Sequence, residues 1–206
     1  MTFSEMAIDA LSAEIKSRLS PKRFEHTLGV VRAACDLSRY CLPDKLYELK
    51  LAAYLHDVTK ELPLKEHYEI LSRSGLLLGK EDMKTEAVLH SYSGACIVKR
   101  DFPNLATDDV VSAVYNHTLG SPDMTVFDEI IFLADYIEDT RIYESSMAVR
   151  KFVLEGMRDG CTSANVKILH EACIKAIDNT ILHLIQSKKA INSKNILTRN
   201  ALLGKI

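Results

Sequence analysis

The sequence predicts an all-α protein folded as one helical bundle. Three observations carry this reading: apolar residues recur at intervals of three and four along most of the chain, strand-like alternation is absent, and the interruptions carry helix punctuation. A first helix is expected from about Ser4 to Leu19. Ser20-Pro21 then supplies an N-cap residue followed by proline at the first helical position, so a second helix starts there and stops near Pro43. A third covers Lys45 to about Asp57. Pro63 opens a short helix that Gly75 closes in the left-handed conformation, and Leu76 to Glu81 reads as a connection. Helical spacing resumes from about Thr85 to Lys99 and, after Pro103, from Thr107 to His117, where Asp108 and Asp109 occupy the positive end of the helix dipole. Gly120-Ser121-Pro122 is a loop. Thr125 caps a helix to about Glu138, another spans Ser146 to Arg158 before Gly160, and a long one runs from Ser163 to Ser187. From Ile191 the pattern is weak, and no internal repeat or Pro/Gly/Ser-rich linker marks a second domain.

Composition narrows the function classes. With 206 residues, 47% of them hydrophobic, the chain can enclose one substantial core and is short for two. A formal charge of -2 provides no positive field for a nucleic-acid backbone or an anionic membrane, and no basic stripe with interleaved aromatics is present. Nucleic acid and membrane are therefore not expected partners. The most apolar run, Ile130 to Ile137, is broken by Asp135 and falls short of the roughly 18 residues a spanning helix needs. Glu5 and Asp9 interrupt the start, which lacks the order of a secretory signal. Cys35, Cys41, Cys96, Cys161 and Cys173 are odd in number and form no C-x-x-C pair, which fits reduced thiols in a soluble, cytoplasmic protein.

The informative anomalies are polar residues placed where the helical pattern asks for apolar ones. Leu49, Ala52, Ala53 and His56 fall at i, i+3, i+4 and i+7, and Asp57 lies four beyond Ala53, so the stripe ends in two metal-competent groups. Val110, Ala113, Val114 and His117 repeat the spacing, again ending in histidine. Asp135 shares a helix face with Ile131 and Phe132, where an unpaired carboxylate would cost several kcal/mol. His26 continues a face made by Val30, Ala33 and Leu37. A single inward histidine is more often a hydrogen-bonded core residue than a ligand, and a buried aspartate can be satisfied by an arginine or lysine. Four such groups on helices that must share one small core are better explained together, by a bound divalent metal held by His26, His56, Asp57 and Asp135.

This order of an isolated His, a His-Asp pair and a distant Asp resembles the HD superfamily of metal-dependent phosphohydrolases. The likeness is closer to the bacterial YqeK family, HD-domain hydrolases that split diadenosine tetraphosphate symmetrically into two ADP. It is carried by Lys22-Arg23-Phe24-Glu25-His26-Thr27-Leu28-Gly29-Val30, by Leu51-Ala52-Ala53-Tyr54-Leu55-His56-Asp57-Val58-Thr59-Lys60, by Leu89-His90 with Gly94-Ala95, by His117-Thr118 with Gly120, and by Ile131-Phe132-Leu133-Ala134-Asp135-Tyr136-Ile137-Glu138. The resembling stretch runs from about Leu19 to Val153. Ser91-Tyr92-Ser93, Leu119 and Ser121 depart from the family's pattern, and the chain beyond about Ser187 is not accounted for by it.

The resemblance implies a division into an N-terminal helix (1–20), an HD hydrolase domain (21–187) with the metal at its centre, and an extension (188–206) that could be mobile. It implies a small nucleotide as substrate and favours iron as the metal, while the mixed nitrogen and oxygen donors also suit manganese or another first-row ion. Asp57, His90 and His117 are the expected catalytic residues: Asp57 to orient the attacking water, and the two histidines to stabilise or protonate the oxygen that leaves. Arg23, Lys60 and Arg141, with His26, His90 and His117, are the expected substrate contacts. A homodimer is permitted by apolar helix faces near either end. The competing expectations are another HD-type nucleotide phosphohydrolase, acting on a nucleoside monophosphate, a deoxynucleoside triphosphate or guanosine tetraphosphate, and a non-catalytic helical interaction module. His67, His170 and His183 lie outside the resembling blocks and are expected to be structural or surface residues.

Overall fold

A computed structural model describes residues 3–206, and among them every regular element is helical. The order is α1 (Phe3–Arg18), α2 (Pro21–Cys41), α3 (Leu46–Leu55), α4 (Leu64–Ser74), α5 (Lys80–Lys84), α6 (Leu89–Asp101), α7 (Asp108–Asn116), α8 (Val126–Ile137), α9 (Glu144–Gly156), α10 (Ser163–Gln186) and α11 (Ser193–Leu203). Single 3-10 turns precede α3 and α6.

The helix starts follow local chemistry. Ser20 accepts a hydrogen bond from the Arg23 amide ahead of Pro21, and Thr125 and Asp128 form a reciprocal capping box at the head of α8. Gly75 closes α4 at φ +70°. α8 is the central rod. Ile130, Ile131, Leu133 and Ala134 are inaccessible to solvent, and the helix is packed by α2, α7 and α10. α3 lies against α2 and α7, and α6 bridges α7 and α4. Thus α2, α3, α6, α7 and α8 converge, and their inward faces define one region.

Four sequence expectations need correction. α3 ends at Leu55, and His56 occupies its C-cap. Asp57 belongs to the tight turns that follow, where Val58 donates to the Leu55 carbonyl and Lys60 to that of Asp57. The expected connection from Leu76 to Glu81 gives way to α5 at Lys80, and α6 begins at Leu89, four residues later than its spacing indicates. α9 begins at Glu144, two residues before the expected Ser146. The weakly patterned tail, drawn above as an extension from 188, forms α11 against α10, with Leu202 buried in the same core as Leu11 and Ile15 of α1. Its anchors are polar: Asn192 and Lys194 reach Asp82, and Thr198 donates to the Leu119 carbonyl.

Candidate metal centre

Histidines at helix ends build most of the site. The last carbonyls of an α-helix lack intrahelical donors. His56 and His117, each just past its helix, turn Nδ1 back to such a carbonyl, at 2.7 Å from Ala53 and 2.7 Å from Val114. Nδ1 must carry the proton in each case, which leaves Nε2 as a lone pair aimed inward. His26 comes from α2 with its Nδ1 3.1 Å from a Glu138 carboxylate oxygen, so in the neutral ring Nε2 is the lone pair. His90 enters from the first turn of α6, and Asp135 from the last turn of α8.

These side chains form two groups joined at one residue. Ligand atoms of His26, His56 and Asp135 lie within 4.8 Å of one another, as do those of Asp57, His90 and His117. Asp57 faces both: Oδ2 is 3.4 Å from His56 Nε2 and 3.7 Å from His26 Nε2, while Oδ1 is 3.3 Å from His90 Nε2 and 3.6 Å from His117 Nε2. His26 Nε2 is 3.0 Å from Asp135 Oδ1, and the Nε2 atoms of His90 and His117 are 3.1 Å apart.

Buried Nε2 atoms of His26 and His56 have no hydrogen-bond partner of acceptable geometry. Lone pairs and carboxylate oxygens this close repel one another and go unsatisfied in a protein interior, unless a cation lies among them. The donor set therefore fits a divalent metal, with imidazoles whose outer nitrogens are already held.

The electrostatics agree. Burial would raise the Asp57 carboxyl, but His56, His117 and His90 outweigh it and hold it well below the usual carboxylate range. Asp135 is likewise held well below, against burial, by His26, Arg141 and His56. His56 is pushed up in spite of complete burial, chiefly by Asp57 and also by Asp135. His90 is driven well down by burial, with His117 and Lys60 adding to it against the opposing pull of Asp57. Lys60 is lowered by burial first, with Arg23 and Arg141 contributing. This is a negative centre ringed by cations.

All the residues expected from sequence come together here. Arg23 Nη1 is 3.0 Å from Asp57 Oδ2, and Arg141 Nη2 is 2.7 Å from Asp135 Oδ1, so both guanidiniums pair with candidate ligands rather than with Glu25 or Asp139. Lys60 Nζ lies 3.1 Å from His90 Nε2 and has no carboxylate within ion-pair distance among the described residues. His90 and His117 are 4% and 2% exposed, deeper than substrate contacts alone require. Two of the residues that depart from the family pattern lie beside them: Ser93 bridges His67 and Thr59, whose hydroxyl also donates to the His90 carbonyl, and Ser91 accepts from Thr118. His67 and His170 are buried and bonded to Ser93 and Glu129, and His183 is exposed. Glu138 was not singled out from sequence. The available signal was a second acidic residue three positions after Asp135, at the end of an apolar helix.

Residues 23–140 match the HD domain family, a span that contains every one of the candidate ligands. The chain belongs to the HD domain family. Its relatives share more than the domain. The symmetrical bis(5'-nucleosyl)-tetraphosphatase of Bacillus subtilis is 30% identical over 92% of this chain and 94% of its own. A protein of the same name from Halalkalibacterium halodurans is 31% identical over 92% and 93%. A crystal structure from Clostridium acetobutylicum, described as a predicted HD superfamily hydrolase involved in NAD metabolism, superposes with a TM-score of 0.82 at 28% identity, covering 96% of this chain and 97% of that one.

Proposed function

We propose that this HD domain hydrolyses diadenosine tetraphosphate symmetrically, releasing two ADP. The observation that carries the reading is the pair of His/Asp groups joined by Asp57 and bordered by Arg23, Lys60 and Arg141. Such an anionic pocket with a cationic rim suits a polyphosphate rather than a neutral substrate. Full-length relatives named for this reaction add to it.

The ligand assignment is His26, His56 and Asp135 for one cation and His90 and His117 for a second, with Asp57 shared; the four-residue set His26, His56, Asp57 and Asp135 is its core. Iron is the proposed metal, with manganese the nearest substitute, because mixed imidazole and carboxylate donors suit borderline first-row ions. A divalent metal held there supplies an acidified water and polarises the phosphoryl group.

The remaining work falls to the protein. Symmetrical cleavage needs attack at a phosphorus beside the central bridging oxygen, so the rest of the polyphosphate must be held still. Arg23 and Arg141, which stand beside Asp57 and Asp135, would hold phosphate oxygens of the polyphosphate. Lys60 is placed to hold the departing phosphate. Its half-buried ammonium has no carboxylate at ion-pair distance among the described residues, and a leaving group that is itself a phosphate needs charge neutralisation more than a proton. His117, with its proton fixed on Nδ1, is a lone-pair donor rather than an acid. The reaction is proposed for the cytoplasm, in keeping with five free cysteines and with helices none of which is long and apolar enough to cross a membrane among the described residues. The domain division (1–20, 21–187, 188–206) is retained as a proposal, with α11 of the last part packed on the hydrolase unit.

The test is product identification with the metal-loaded protein. Diadenosine tetraphosphate should yield ADP alone, whereas ATP plus AMP would show cleavage at another bond and overturn the proposal. NAD belongs in the same panel because of the Clostridium acetobutylicum neighbour; faster turnover of NAD would favour that second reading. Metal analysis of the purified protein decides the ion.

A further inference from the structure

His26 differs from its neighbours in what stands behind it. The outer nitrogens of His56 and His117 donate to neutral backbone carbonyls, whereas that of His26 donates to the Glu138 carboxylate. Glu138 is the C-cap of α8, its side chain wholly covered. Oε1 also receives the Thr140 hydroxyl at 2.7 Å, and Oε2 receives the Thr140 amide at 2.7 Å. Arg150 fastens the backbone beneath by donating to the carbonyls of Ile137, Glu138 and Arg141. The carboxylate is thus held by three donors at a fixed point, and the imidazole is one of them.

Across from it is Gly29, one turn after His26 on α2. A Cβ built there would lie 2.3 Å from Glu138 Oε2 and 2.9 Å from Asp139 Oδ1. Gly29 sits inside a regular helix, where glycine is less favourable than alanine and that cost needs a reason. The space occupied by Glu138 explains why the sequence accepts that cost.

We infer that Glu138 is a positioning residue for His26, fixing its ring and tautomer and strengthening Nε2 as a donor in the His26–His56–Asp135 group, and that Gly29 is the room this requires. A carboxylate behind a ligating imidazole both orients it and raises its basicity. His26 is the only imidazole of the site so equipped among the described residues, so the two groups should differ in cation affinity, the His26 group being the tighter. The affinity part rests on the metal reading proposed above; the tautomer part does not.

The test uses Glu138→Gln, which keeps the volume and removes the charge, and Gly29→Ala, which displaces the carboxylate without touching a candidate ligand. Manganese binding to the full chain is measured by calorimetry and electron paramagnetic resonance, and the His26 ring nitrogens are read by nitrogen-15 NMR in metal-free protein. Glu138→Gln should weaken the tighter manganese site by roughly 10- to 100-fold, leave the weaker one in place, and change the His26 tautomer balance while helix content is retained. Gly29→Ala should follow in the same direction. Unchanged affinity and an unchanged His26 spectrum in Glu138→Gln would overturn the proposal, as would lowered thermal stability as its only effect. If wild-type protein binds no manganese, iron or other divalent ion but the His26 tautomer still responds to both variants, the metal reading falls and the positioning role of Glu138 stands.

Discussion

Two buried histidine–carboxylate clusters stand out among the described residues, one around Glu129 and one around Asp57, and the second is left incomplete by the protein. In the first, Glu129 is wholly covered between α8 and α10. Its Oε2 meets His170 Nδ1, its Oε1 receives Lys205 Nζ at 2.8 Å, and Cys173 points its thiol at the Glu129 carbonyl. Every oxygen of that carboxylate has a partner. In the second, around Asp57, the protein brings together more imidazoles and carboxylates than it can pair. Of the four buried side-chain atoms without a partner among the described residues, three are His26 Nε2, His56 Nε2 and Arg23 Nε, all in this cluster. Residue type does not separate a structural cluster from a reactive one; completeness of pairing does. The Glu129 group needs nothing added, whereas the Asp57 group needs a cation.

That contrast can be broken most directly at the two central carboxylates. Asp57→Ala removes the residue shared by both ligand groups, and titration calorimetry should show a loss of cation affinity exceeding the roughly 100-fold ceiling for an outer partner, with hydrolysis lost in parallel. Glu129→Ala should do the reverse: cation affinity unchanged, but stability reduced by about 1–3 kcal/mol because buried His170 loses its partner. For a chain of this length that corresponds to a fall in Tm of roughly 2–12 °C by calorimetric scan. Comparable losses of metal binding in both variants would erase the distinction.

Two lysines beside these clusters sharpen it further. Lys205 is paired with Glu129, whereas Lys60 has no carboxylate at ion-pair distance among the described residues. Lys60→Ala should raise KM by about 10- to 100-fold, the worth of a charged hydrogen bond, while Tm does not fall. A drop in Tm with unchanged KM would make Lys60 a structural cation. The smallest expected effect is on pH dependence. His56 is held above the ordinary imidazole value, so below that raised pKa a metal must displace its proton; His90, held below, is already neutral and does not compete. Cation affinity should be highest above the raised His56 pKa and fall as pH decreases through it, by up to about tenfold per unit. A flat affinity between pH 6 and 8 would show that His56 is not displaced.

Much of this was legible in the chain. The helical class follows from spacing and caps, and His26, His56, Asp57 and Asp135 stand out because each interrupts an apolar face. What stayed hidden was whatever depends on polar contacts between distant segments. α11 escaped hydrophobic periodicity because its buried residues include Asn195 and Thr198, and because Asn192 and Lys194 anchor it through Asp82. α5 carries one buried residue, and that residue is Asp82 itself. The grouping of Asp57 with His90 and His117 depends on α6 and α7 meeting the turn after α3, a matter of packing that no local pattern encodes. Glu138 failed to register because a carboxylate at a helix end is unremarkable until its partner from α2 is known.

The rings of His56 and His117 are each tethered to a carbonyl three residues back on the helix that carries them. Their orientation is thus a property of two short segments, not of the surrounding bundle. A helix terminating in histidine with that internal tether is a transferable part, and grafting the ends of α3 and α7 onto another pair of converging helices should carry the imidazole directions with it.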